Sequence, residues 1–167
     1  MSYSIVRHLE FNAWANGQLA QVMKPLSEEA FYRENNGSFP SLAKTTLHIW
    51  GAQYIWYRRM QGESLRQAPM VAQPPAKAEL LDGLLQSSAD FVTFVKSKDA
   101  HFLSSRYQYT NMRGDHFEDA YEETLFHIVN HGSYHRGQLT NMLREVGVTK
   151  LPGTDLIHYL RAHNPKP

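Results

Sequence analysis

Four long stretches of this chain carry apolar residues at helical spacing, and each is bounded by residues that start or stop a helix. That pattern predicts an all-α fold. Residues 3–24 repeat Ile5, Leu9, Trp14, Leu19 and Val22 before Pro25, which lacks the backbone N–H that another turn would need. Residues 41–61 run from Ser41 through a proline-free stretch rich in apolar and aromatic side chains to a stop at Gly62. Residues 76–98 align Leu80, Leu81, Leu84, Leu85, Phe91, Phe94 and Val95, and a last segment over 119–146 ends at Gly147. Four such segments pack most simply as a four-helix bundle, and 167 residues suit a single domain spanning 1–167.

The connections are unequal. Ser27, followed by two glutamates, marks the cap of a short helical turn, and the polar run from Glu34 to Ser38 marks a loop. Residues 63–75 hold three prolines and are long enough to cross from one end of a bundle to the other. Tyr107 and Tyr109, the turn-forming Asn111, Met112, Arg113 and Gly114, and then Phe117 predict a small hairpin between the third and fourth helices. The tail from 148 contains Pro152, an apolar patch of Leu156, Ile157, Tyr159 and Leu160, and a proline-rich end.

Composition narrows the chemistry. The chain has no cysteine, which removes disulfides, thiolate metal sites and a cysteine nucleophile together. A net charge of +1 without charged blocks offers no electrostatic footprint for nucleic acid or an anionic membrane. The first twenty residues carry Arg7 and Glu10 and lack an apolar targeting core, and the longest stretches free of Asp, Glu, Lys and Arg are thirteen residues. A soluble cytoplasmic protein is the expectation. Against this plain background stand nine histidines.

His127, His131 and His135 lie four residues apart in the last helical segment, so they stack along one side, one turn above another. At about 100° per residue, His135 lies roughly 50° from the centre of the apolar stripe of that helix, His131 about 90° and His127 about 130°. The first two border the core and form the candidate ligand pair, while His127 faces outward. A third ligand must come from another helix, and His48 is the histidine in the interior of another long segment, with the small Gly51 and Ala52 one turn away. Helical surfaces also tolerate histidines at this spacing, so ring nitrogens satisfied by carbonyls and water remain an alternative. His8, His101, His116, His158 and His163 read as surface or local structural residues. Tyr57, Tyr134, Asn12 and Gln138 are candidates for orienting a ligand or substrate. Arg136 points about 140° from His131, which predicts a salt bridge with an adjacent element, and mid-helix Gly137 predicts close approach of a neighbouring helix or chain.

The string NHGSYHRGQ over 130–138, together with TTLHIWGAQYIW over 45–56 and FNAWANGQL over 11–19, resembles the DinB-like family of bacterial four-helix-bundle metalloproteins. The resemblance covers nearly the whole chain in the same order. It implies a three-histidine site for a divalent metal, often zinc or nickel, with the ligands on His48, His131 and His135, and commonly a homodimer. The family includes transferases that use a low-molecular-weight thiol such as bacillithiol, and a related branch contains mycothiol-dependent isomerases. The expectation is a metal-dependent enzyme acting on a small molecule, such as a thiol S-transferase. The alternatives are a metal-dependent hydrolase or a non-catalytic metal-binding stress-response protein.

Overall fold

A computed structural model describes residues 4–35 and 39–164. Four long helices dominate it: α1 (Ile5–Met23), α3 (Leu42–Met60), α5 (Lys77–Lys96) and α7 (Tyr121–Glu145). Between them lie the short helices α2 (Glu28–Tyr32), α4 (Pro69–Ala72) and α6 (Ala100–Ser104), the strands β1 (Arg106–Thr110) and β2 (His116–Ala120), and a terminal helix α8 (Leu156–His163). The local chemistry of the ends follows the sequence. Ser4, Ser27 and Ser41 each accept a hydrogen bond from the backbone N–H three residues on, capping α1, α2 and α3. Gly62 and Gly147 adopt positive φ of 85° and 90° just past α3 and α7, where an L side chain would be strained.

Each long helix packs chiefly on two others, α1 and α3 each lying against both α5 and α7. The contacts also give directions. Asn16 meets Ser88 and Glu10 meets Lys96, so α1 and α5 run antiparallel. Trp50 lies over Gly83 and Tyr57 packs against Phe91 and Phe94, so α3 and α5 run parallel. The proline-containing connection therefore does cross the length of the bundle. It also folds locally into α4, a turn that its three prolines conceal in the sequence.

The hairpin pairs Tyr109 with Phe117 and Tyr107 with Asp119. Its turn is held by Asn111, whose side-chain oxygen accepts from the N–H groups of Arg113 and Asp115, at 2.8 and 3.0 Å. Helix α8 arises from a patch whose apolar character was visible but whose conformation was not. It buries Tyr159 against Phe11 and Trp14 of α1.

Two apolar clusters fill the bundle. One gathers Leu19, Met23, Phe31, Leu42, Leu80 and Leu143 at one end, and the other gathers Leu9, Phe11, Phe91, Leu125, Ile128 and Tyr107 at the other. Buried polar residues join the helices between them. Arg136 Nη1 donates to Asn12 Oδ1 at 2.6 Å and to Asn16 Oδ1 at 2.9 Å, while Nη2 donates to Ser133 Oγ at 2.8 Å. Asn16 Nδ2 donates to Ser88 Oγ at 3.0 Å, and that hydroxyl lies 3.2 Å from Gln53 Oε1. The salt bridge expected of Arg136 is replaced by these neutral partners, because the side chain is turned inward between helices rather than outward to a charged surface.

Close approach falls on a different glycine of α7 from the one singled out. A Cβ on Gly132 would stand 2.7 Å from Asn12 Oδ1 and 2.9 Å from Arg136 Nη1, whereas one on Gly137 meets nothing within 4 Å in this chain. Gly132→Ala is expected to cost about 1–3 kcal/mol, since neither neighbour can move without losing a buried hydrogen bond. Gly137→Ala should instead stabilise by about 0.5–1 kcal/mol through helix propensity. Urea unfolding of the two variants checks the contrast.

Candidate metal centre

Helix α7 raises its three histidines one turn apart, and their burial follows their angular order: His135 is buried, His131 half-buried and His127 exposed. Helix α3 brings His48 to the same level from the neighbouring, antiparallel helix, as the contacts of Thr45 with Met142 and of Trp56 with His127 show. The result is a cluster of His48, His131 and His135 whose potential ligand atoms all lie within 4.8 Å of one another. His48 Nε2 and His131 Nε2 are 3.0 Å apart. The ring of His135 lies 4.5 Å from that of His48 and 4.4 Å from that of His131, centroid to centroid.

Neighbouring side chains set the orientation of these rings. His135 Nδ1 is 2.7 Å from Gln138 Oε1, one turn along α7. With Nδ1–H donating to that carbonyl oxygen, Nε2 retains its lone pair for the centre of the cluster. Phe39 stacks on His48 with ring centroids 4.0 Å apart and presents its edge to His135. Phe39 was not anticipated from the sequence. Residues 36–38 of the loop expected over 34–38 lie outside the described residues, and the position of Phe39 just ahead of the Pro40–Ser41 helix start was the available signal.

Burial lowers the pKa of His48 to about 4, with the charge of His135 adding to it. Burial likewise lowers that of His131 to about 3, reinforced by His135, His48 and His127 in turn. Both rings are therefore neutral at ordinary pH, the form in which an imidazole binds a metal. Three imidazole nitrogen donors converging from two helices suit a borderline divalent ion such as zinc, nickel or copper.

The other residues singled out in the sequence divide. Gln138 reaches the cluster, and Tyr134 sets its edge against His135 while remaining 68% exposed. Tyr57 and Asn12 lie elsewhere, one packed between Phe91 and Phe94 and the other bound to Arg136. His127 sets its ring edge-on to Trp56 and stays outside the cluster. His101, His116, His158 and His163 are exposed, and half-buried His8 packs against Phe11 and Phe126.

Beside His48 opens a cavity of about 360 Å³. Its walls come from the face of α3 carrying Ala52, Ile55 and Trp56, from Ala68 and Val71 of the crossing segment, and from Met112 at the hairpin tip. Gly51 lets the crossing segment settle against α3, since a Cβ there would lie 2.9 Å from Val71. No helix among the described residues is long and apolar enough to cross a membrane.

Comparison with known proteins bears on the chain as a whole. The model of the DinB family matches residues 1–166. Protein DinB of Bacillus subtilis is 33% identical over 158 residues, covering 90% of each chain. Among solved structures, a DinB-family protein of Exiguobacterium sibiricum aligns at a TM-score of 0.71 with 16% identity, covering 93% of this chain and all of that one. YfiT of Bacillus subtilis, described as a probable metal-dependent hydrolase with an unusual four-helix bundle topology, aligns at 0.65 with 11% identity, covering 89% of this chain and 92% of its own.

Proposed function

This chain belongs to the DinB family, and from that premise we propose that it is a metal-dependent enzyme whose divalent ion, zinc or nickel, is held by His48, His131 and His135. The convergence of three imidazoles from two helices carries this reading. The donor set fits such an ion. Two nitrogens sharing a tetrahedral metal at 2.0–2.1 Å stand about 3.3 Å apart, and the two Nε2 atoms of His48 and His131 are 3.0 Å apart. Three protein ligands are the number typical of catalytic zinc sites, in which one position is left for a reactant. When bound, the ion would supply a Lewis acid that lowers the pKa of a thiol or a water.

The remaining tasks fall to the chain. Gln138 fixes the ring of His135, Phe39 covers a face of His48, and the cavity beside His48 offers an apolar berth for an organic substrate. Because the chain has no cysteine, a reacting thiol would arrive as a cosubstrate. Transfer of a low-molecular-weight thiol to an electrophile is therefore our first reading, supported by the resemblance to a family that contains such transferases. Hydrolysis is the second, supported by the shared fold of YfiT.

Elemental analysis of untagged protein should find about one divalent metal per chain and little after His131→Ala or His135→Ala. Gln138→Ala should weaken metal affinity by roughly 10–100-fold, the usual cost of losing a group that orients a ligand. Full metal content in His131→Ala would remove the site assignment.

The reaction can be tested with zinc- or nickel-loaded protein, a set of small thiols and a set of alkyl and aryl electrophiles, alongside aryl esters without thiol. Metal-dependent conjugation is the expected outcome. Ester cleavage without conjugation would select hydrolysis, and neither reaction in any metal form would argue for a non-catalytic metal protein.

A further inference from the structure

Arg59 is 6% exposed, yet its side chain makes no hydrogen bond or ion pair among the described residues. Its Nε is buried without a partner, and its guanidinium sits in the corner between the rings of Trp56 and Tyr109, 4.6 and 4.9 Å from their centroids. The aromatic faces favour a cation there but accept none of its N–H donors in ordinary hydrogen bonds. A guanidinium largely withdrawn from water, with Nε buried and unpaired, is costly, and an anion that reached it would recover part of that cost.

The side chain lines the same cavity as His48. The two residues are eleven apart on α3, which returns them to one face of the helix about 16 Å apart along its axis. The rest of the wall is apolar, from Ala52, Ile55, Trp56, Ala68, Val71 and Met112, apart from the polar Gln67 on the crossing segment. One end of the cavity thus carries an unpaired cation and the other adjoins the histidine cluster.

We infer that this cavity binds an organic carboxylate, with the carboxylate held by Arg59 and an apolar body lying along α3 toward His48. A carboxylate is the fitting anion because its planar pair of oxygens matches the fork of guanidinium donors, and its single charge balances one arginine. The recognition by Arg59 stands on the cavity alone. Placing the reacting end of the substrate at the histidine cluster rests on the metal-enzyme reading above.

The test is calorimetric titration of the full chain, both zinc-loaded and chelator-treated, with 4-phenylbutanoate and with its neutral amide. The acid should bind at least about tenfold more tightly than the amide in both forms, the gain expected of a charge-assisted pair. Arg59→Met should abolish that preference while leaving zinc content unchanged, and Arg59→Lys should keep part of it. Val71→Trp, which fills the cavity from the exposed turn of α4, should weaken acid and amide alike. Equal binding of acid and amide, no binding of either, or a preference that survives Arg59→Met would overturn the inference. A preference that disappears with the zinc and persists in Arg59→Met would assign the carboxylate to the metal instead. A preference that depends on Arg59 in a protein that never retains metal would leave the carboxylate site standing and remove the metal reading.

Discussion

Arg136 is a buried cation that the bundle keeps without a carboxylate. Its 2% exposure removes nearly all hydration, and burial lowers its pKa to about 10, which still leaves it charged at neutral pH. Asn12, Asn16 and Ser133 supply the compensating oxygens. Through Asn16 the arrangement continues to Ser88 on α5, whose hydroxyl lies 2.8 Å from Leu84 O in its own helix and 3.2 Å from Gln53 Oε1 on α3, so polar side chains of all four long helices meet in one layer. Apolar contacts are non-directional and would tolerate a helix sliding against its neighbour. A hydrogen-bonded layer would not, because a shift of one turn would strand several buried donors at once.

That registration reaches the histidine cluster directly. His135 precedes Arg136 on α7, and Gly132 lets Asn12 come within reach of the guanidinium. Fixing α7 at this height sets His131 and His135 opposite His48, and Gln138 and Phe39 then orient the rings. The direction of α5 matters as well. Because it runs parallel to α3, the chain must travel back along the bundle before α5 begins, and the returning segment walls the cavity beside His48. The hairpin is tied to the same segment, with Thr110 N–H donating to Ser64 Oγ at 2.9 Å.

The long helices were readable because their signals are local: serine caps, Pro25, Gly62, Gly147 and the spacing of apolar residues. The grouping of His131 and His135 apart from His127 was readable for the same reason, since one helix and an angle of about 100° per residue suffice. The role of Arg136 was not, because a direction away from His131 does not mean a direction toward solvent: a helix that lies against both α1 and α3 buries more than one face. Nor do Asn12 and Asn16 announce themselves as partners of a cation, since asparagine at mid-helix is equally compatible with a solvated position. Helix α8 depends on docking of Tyr159 against α1, a contact across about 150 residues that no local window contains. Phe39 and Arg59 acquire their neighbours only through tertiary packing, Phe39 against the rings of His48 and His135 and Arg59 against Tyr109 of the hairpin.

The two buried arginines make the distinction between architecture and binding concrete. Both are largely withdrawn from water and both lack an acidic partner among the described residues. Arg136 uses its donors on three side chains within the bundle, so its cost is met by the fold and no cavity is needed beside it. Arg59 is supported by two aromatic rings, which stabilise its charge and leave its hydrogen-bonding capacity open toward a cavity. Filling that cavity with protein would have been the easier way to stabilise the bundle, since a void forgoes dispersion contacts and an unpaired donor forgoes a hydrogen bond. The small Ala52, the open cavity wall and the unpaired Arg59 side chain all depart from close packing on one face of α3, and that face leads to His48. Departures that coincide in this way are expected where a fold makes room for a ligand.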